Sequence, residues 1–551
     1  MKKIFSVVFV TLLCITSLIS QNWQQYPYTP AGSMISFPLD DGFHNTNTTT
    51  EWWYINLHLI GSAPDFKKYD VMLCYFSKPV NMRIFNIADP VSGLFHTDVN
   101  RSQLAFSQQA GHWELSYTPL FINDYSLWTY PADSIPYRYI FHAENPFPYN
   151  GDALDITVTS NRQPLNVGGD GYIPIGDQGD NSYYYSYTNM KVEGSIKFNG
   201  TSDNISSGIG WIDRQYGPFT VGINPANQYE WYSMQLDQPG VTWGTPQTPS
   251  EFNIWQIYND TNNIPYTSAC RSVSSIFSDN TQDATSDFIY ERTGYWYDAT
   301  NNVYYSSSWR LINPAQDINL DMTPTITNQV INVTLFKFWE GGTIVKGTVR
   351  GQPLDGVGFA ELVAKHKSKM EVPSVPAGLN VSYDTDHYVI EWSASTQGTF
   401  PIGGYRIYRS ESNDGYWKYL GTTTELSFND FTASPLTDYF YTVSSFDNQT
   451  ATSASGYATP AKLGINNLSA GENPVSVYPN PANNQVTVSI PAFKAGNNTL
   501  IELLDYQGKL IKKQPIIKDN TQLNISGIPS GIYVIRLMDS KGVVIRKFMK
   551  V

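Results

Sequence analysis

The sequence predicts an all-β chain of several domains. Period-two alternation recurs along it, as in Lys191-Val192-Glu193-Gly194-Ser195-Ile196, with no convincing long helical pattern. Aromatic residues make up 14%, a bias toward strands and ring-lined cavities. The 551 residues exceed what one core can hold.

The N-terminus pairs a basic head, Lys2-Lys3, with a short apolar run from Ile4 to Ile19, the pattern of a secretory signal over residues 1–20. Cys14 lies inside it without the small-residue context of a lipoprotein cysteine. No later stretch is apolar enough for a helical span, so no transmembrane segment is expected. Formal charge is −13, and losing Lys2 and Lys3 with the signal leaves about −15. Without clustered Lys or Arg to neutralise phosphates, nucleic acid is not an expected partner. Cys74 and Cys270 can pair in an oxidising compartment but make no disulfide framework.

An internal echo organises the first 370 or so residues. Glu51-Trp52-Trp53-Tyr54 and Glu230-Trp231-Tyr232-Ser233 each precede an alternating strand. Val192-Glu193-Gly194 leads to Gly208-Ile209-Gly210-Trp211-Ile212-Asp213, and Val345-Lys346-Gly347 leads to Gly356-Val357-Gly358-Phe359-Ala360-Glu361. Two homologous β-barrel-like halves follow, 35–218 and 219–369, with Asp213 and Glu361 at equivalent strand positions. Charge and proline replace the strand pattern from Lys365 to Pro376, the main boundary. Residues 373–464, with strands around Trp392, Gly404–Arg409 and Thr437–Val443, resemble a fibronectin type III sandwich, a module that serves as spacer or platform. Val477-Tyr478-Pro479-Asn480-Pro481-Ala482 and Ile528-Pro529-Ser530-Gly531-Ile532-Tyr533-Val534 resemble the type IX secretion sorting domain of Bacteroidetes over 474–551. That resemblance implies the type IX secretion machinery as a partner and a secreted or cell-surface destination reached through the periplasm and outer membrane.

The sequence holds no Gly-x-Ser-x-Gly elbow, zinc helix, phosphate loop, dinucleotide fingerprint or Cys-x-x-Cys, which weighs against common hydrolases, zinc proteases and nucleotide enzymes. No metal or other cofactor is expected, and His96 and His112 have no metal-like spacing. The string Phe37-Pro38-Leu39-Asp40-Asp41-Gly42-Phe43-His44, Glu51-Trp52-Trp53-Tyr54, Tyr183-Tyr184-Tyr185-Ser186, Gly210-Trp211-Ile212-Asp213-Arg214-Gln215-Tyr216-Gly217 and Phe338-Trp339-Glu340-Gly341 resembles the carotenoid hydratase family, also called hydroxyneurosporene synthase or AttH-like. The family spans hydration, cyclisation and members labelled only as secreted hydrolases. The resemblance implies two lipocalin-like barrels, so the expected architecture is two tandem barrels, a fibronectin-like β-sandwich and a small C-terminal β-sandwich. It also matches Asp213 to a Trp-x-Asp motif and Glu51 to a Glu-Trp-Trp motif.

Hydrating an alkene needs a proton donor, a place for a carbocation and a delivered water. A carboxylic acid in an apolar pocket and desolvated aromatic faces are the residue types that supply the first two. Asp213 is the expected proton donor to a hydrophobic small-molecule substrate, with Glu51 or His44 orienting water. Trp52, Trp53, Tyr54, Tyr185, Trp211, Gln215, Trp339 and Glu340 are the expected substrate-binding residues. Structural readings stand beside these: Asp213 and Arg214 as a barrel closure, Glu51 as a tether for indole nitrogens, the tryptophans as core, Glu340 and Glu361 as shared structural positions. An exported protein does not meet carotenoids made in the inner membrane, which favours an outside substrate. Non-catalytic carriage of a hydrophobic ligand, surface adhesion and glycan binding are the rival functions.

Overall fold

In a computed structural model the described residues are 22–551, except 120–121, 147–150, 177–178, 220–227, 241–249, 259–269, 334–335, 385–386, 435–436, 438, 463–474, 491–499, 517 and 540–541. The expected signal over 1–20 lies outside them. Strands dominate, no α-helix occurs among the described residues, and no helix there is long and apolar enough to cross a membrane.

Each barrel half closes the same way. In the first, the opening strand Thr50–Gly61 pairs antiparallel with the closing strand Thr201–Gly217, with Lys68–Lys78 and Asp180–Phe198 on either side. In the second, Gln228–Asp237 pairs with Gln352–Leu362, flanked by Ser250–Tyr258 and Phe336–Val349. First and last strands of each half are thus neighbours, and each sheet curls around its own core as a lipocalin-like barrel.

Strand alternation sets two faces. Trp53, Ile55, Leu57 and Leu59 enter the first barrel's core, while Trp52 and Tyr54 point the other way, into a third cluster shared by both barrels. The closing strand obeys the same rule, with Ile212 inside and Trp211 in the shared cluster. In the second half Tyr232 and Met234 are internal, whereas Trp231, Phe338 and Phe359 join the shared cluster. The strand Thr50–Gly61 and residues 208–217 of the closing strand are buried on both faces because barrel packs on barrel.

The two sequence echoes are offset by two residues. Aligning Glu51 with Glu230 sets Tyr54 against Ser233, yet Asp213 pairs with Tyr54 while Glu361 pairs with Trp231. An even offset leaves every side chain on its original face. Asp213 and Glu361 therefore both turn toward the other barrel.

Polar contacts clamp the halves together. Gln235 Nε2 donates to the carbonyls of Thr188 (2.7 Å) and Gly210 (3.0 Å), Thr325 Oγ1 donates to Asp70 (2.7 Å), and Arg162 pairs with Glu251. A Cβ on Gly342 would lie 2.1 Å from an Asp70 carboxylate oxygen, so a side chain there would have to displace the carboxylate that Thr325 holds.

Residues 377–462 form a three-on-four β-sandwich, and 476–550 a second one with its own core. The first sandwich is docked on the second barrel. Glu291 receives Arg406 at 2.8 Å, Arg310 donates to Ser444 Oγ at 3.2 Å, Tyr457 donates to Asp321 at 2.7 Å, and Ile312 packs with Tyr408 and Trp417. In the last sandwich the Pro-Asn-Pro-Ala motif ties both ends together. Asn480 Oδ1 accepts from the Met549 amide (2.9 Å), and the Ala482 amide donates to the Met549 carbonyl (2.7 Å). Cys74 and Cys270 are buried and are not joined in a disulfide.

Candidate functional site

Between the barrels lies a cleft with about 510 Å³ of empty space, its mouth included, walled by Trp52, Tyr54, Tyr184, Asp213, Gln215, Tyr229, Trp231, Trp255 and Glu361 with Ile173, Ile175 and Ile257. Two rows of cross-strand partners run along its walls. On the first barrel, Ser186, Asp213, Tyr54 and Cys74 stand side by side on four adjacent strands. On the second, Trp255, Trp231, Glu361 and Glu340 do the same. Side chains in such rows are nearest neighbours. Tyr54 crosses the gap to meet the Trp231 ring edge-on at 5.4 Å.

Asp213 is buried and accepts three hydrogen bonds, from Ser186 Oγ (2.5 Å), Trp211 Nε1 (2.6 Å) and Tyr184 OH (2.7 Å). Tyr184 in turn accepts from Asn253 of the second barrel (2.9 Å). No cation is paired with Asp213 among the described residues. Burial raises its pKa from 3.8 to about 6, against the lowering pull of its three donors. Across the cleft Glu361 accepts from Tyr229 OH at 2.5 Å, and burial with the negative charge of Asp213 moves its pKa up to about 7. Its neighbour Glu340 is fully buried, and burial together with the Glu361 charge holds its carboxyl well above the ordinary range. Asp213 and Glu361 wall one aromatic cleft with Glu340 behind them, and none has a counter-cation among the described residues; near neutral pH Glu340 keeps its proton, Glu361 is partly protonated and Asp213 is mostly ionised.

The opposite face of the same strands carries another arrangement. Glu51 accepts from Arg214 Nη2 (2.8 Å), from the His44 amide (3.1 Å) and from Ser77 Oγ (3.1 Å), and its Oε1 lies 3.0 Å from His44 Nδ1. Arg214 also donates to the carbonyls of Trp52 (2.8 Å) and Gly42 (2.6 Å), and its guanidinium lies 3.9 Å from the centre of the Trp53 ring. Burial raises the Glu51 pKa, but Arg214 and His44 outweigh it, and the net shift is downward. The second barrel repeats the device: Glu230 takes Arg292 at 3.1 Å, Tyr258 at 2.8 Å, Tyr290 at 3.0 Å and Ser306 at 2.8 Å.

The expected constellation is therefore divided. Asp213, Trp52, Tyr54 and Gln215 line the cleft, Trp211 fixes Asp213 from within the shared cluster, and Glu340 stands behind Glu361. Glu51 and His44, expected to orient water for Asp213, sit on the far side of the sheet, because Glu51 and Asp213 fall on opposite faces of paired strands. Trp53 and Tyr185 also face the first barrel's interior, where Tyr185 bonds Asp41. Trp339 is core of the second barrel, its indole N–H on the Thr327 carbonyl at 2.7 Å. Not expected from the sequence were Tyr184, Tyr229, Trp231 and Trp255. Trp231 was findable, since it follows Glu230 in the echo as Trp52 follows Glu51. Among the described residues no group of three or more His, Cys, Asp or Glu side chains is placed to share a metal ion.

Paired lipocalin-like barrels with a buried acidic cleft between them, followed by a sandwich and a sorting tail, define an exported two-barrel protein with an aromatic cleft at the barrel interface. The chain belongs to the AttH-like family, whose model matches residues 28–365. The secretion system C-terminal sorting domain matches residues 476–551, which assigns the chain to export, at the cell surface or beyond it. Among solved structures, a candidate AttH from Nitrosomonas europaea is 19% identical with a TM-score of 0.49, over 61% of this chain and 98% of that one. Kievitone hydratase from Nectria haematococca is 17% identical with a TM-score of 0.46, over the same shares. No curated protein matches the chain.

Proposed function

We propose that this protein is an exported enzyme that takes an apolar, alkene-bearing small molecule into the inter-barrel cleft and, by proton transfer from Asp213, adds water to it or closes it into a ring. The carrying observation is a buried carboxyl without a counter-cation, held by Ser186, Tyr184 and Trp211 at the wall of an aromatic cleft. With its pKa near 6, Asp213 is partly protonated at neutral pH and is a far stronger acid than water. Protonation of the alkene would leave a cation facing Trp52, Tyr54 and Trp231, whose ring faces stabilise positive charge. Water would then attack, its proton passing to the carboxylate left behind.

The test uses the full-length mature chain, since the docked sandwich covers charged residues of the second barrel. It is incubated with a hydrophobic extract of its surroundings, and the bound molecules are released and weighed. A product heavier by one water, or an isomer of equal mass with one double bond fewer, formed by the native protein and not by Asp213→Asn, supports the reading. A bound but unchanged molecule with both proteins would make the chain a carrier and overturn it.

A further inference from the structure

The row Trp255, Trp231, Glu361, Glu340 has a property the proton-transfer reading leaves unused. Trp255 and Trp231 both wall the cleft and are both 5% exposed. Among the described residues neither indole N–H makes a hydrogen bond of acceptable geometry, although that of Trp231 lies close to the Tyr184 hydroxyl. A buried donor without an acceptor costs free energy comparable to a lost hydrogen bond, and in a cleft wall a ligand can supply the missing acceptor. Trp255 and Trp231 are direct cross-strand partners, and Trp231 is in turn the partner of Glu361, so the three side chains are aligned on one rung. Glu361 stands opposite Glu340, and neither carboxyl is paired with a cation among the described residues. Two adjacent buried carboxyls cannot both ionise freely, and the proton is held first by Glu340, behind the wall, so the donors that face the cleft from this row are the two indoles. The first-barrel wall is different: Asp213 already has three donors of its own.

We propose that the indole N–H groups of Trp255 and Trp231 form a binding corner for an oxygen acceptor, so that the cleft takes an apolar molecule bearing a carbonyl or ether oxygen rather than a pure hydrocarbon. This rests on the reading of the cleft as a site for apolar small molecules and specifies the class. The ligand lies with its oxygen on the second-barrel wall and its hydrocarbon part across Tyr54 and Trp52. A polyene without oxygen would leave the Trp255 N–H buried and unbonded, and would be selected against for that reason.

The full-length chain is titrated with trans-chalcone and trans-stilbene, planar diaryl molecules of similar span that differ by one carbonyl, and tryptophan fluorescence is followed. Chalcone is expected to bind on the order of tenfold more tightly, the worth of one or two recovered hydrogen bonds. In Trp255→Phe, which keeps a ring and removes the donor, the ratio of chalcone to stilbene affinity should fall to roughly twofold or less, whatever lost ring area does to both probes alike. A readout independent of the variant is the indole ¹H–¹⁵N resonance of Trp255, expected to move downfield with chalcone and not with stilbene. Equal binding of the two probes, or no selective movement of that resonance, would overturn the acceptor corner while leaving the cleft an apolar site. Failure of both probes to bind would overturn the corner and the apolar cleft together.

Discussion

The two faces of the strand Thr50–Gly61 bury carboxyls under opposite rules. On the barrel face, Glu51 is neutralised by Arg214 and surrounded by donors, and its pKa falls. On the cleft face, Asp213, Glu361 and Glu340 have no cation, and their pKa values rise. A missing cation alone does not set the cleft apart: Asp41, inside the first barrel among three tyrosine hydroxyls, is also raised, and Glu251 is raised to about 7 beside Arg162. What Asp213 and Glu361 add is a place at the wall of the cleft, where a ligand can reach them. The second barrel supports the distinction, because Glu230 and Arg292 repeat the compensated pair at a place where no cleft residue is involved.

The largest effect should come from uncoupling a compensated pair. Arg214→Met strands Glu51 in the first barrel and should cost about 3–5 kcal/mol in denaturant unfolding, much of it recovered by adding Glu51→Met. An unchanged midpoint would erase the contrast between the two faces. Next is Asp213→Asn, whose effect depends on pH. A carboxyl with a raised folded pKa contributes stability below its unfolded value, 3.8, and loses it as pH rises through about 6. Relative to the native protein the variant should gain up to about 3 kcal/mol at pH 8 and nothing at pH 4. A gain independent of pH would mean that Asp213 is not held as an acid. Under the proposed proton transfer from Asp213, turnover should fall as pH rises above about 6. The smallest effect is expected of Tyr184→Phe. Losing this donor removes a lowering influence on Asp213, so the alkaline limb should move up by roughly half to one pH unit, with about 1 kcal/mol of lost stability. A downward movement would assign the limb to another group.

Much of this was legible in the chain. Alternation and the Gly-x-Gly echoes give two barrels, and the Trp-x-Asp string leads to Asp213. Face assignment was harder. In Tyr183–Tyr187 tyrosines occupy both faces, so residue type cannot tell that Tyr184 enters the cleft and Tyr185 the barrel. Glu51 and Asp213 looked like partners because both accompany tryptophans, but their opposite orientation depends on the pairing register, Tyr54 against Asp213. Trp255 had no motif around it, and its place beside Trp231 comes from the pairing of Gln228–Asp237 with Ser250–Tyr258. The first sandwich reads as a spacer in sequence, yet Arg406 and Arg310 bind it to the second barrel through contacts far apart in the chain.

The two-residue offset between the echoes also limits how the halves can have diverged. A deletion or insertion of one residue in Gln228–Asp237 would exchange its faces, carrying Glu230 to the cleft and Trp231 into the barrel core, and would destroy closure and pocket in one step. Changes in length by two preserve both. Drift between the copies is therefore quantised, and the cleft could be reshaped around new molecules only in even steps or by substitution in place.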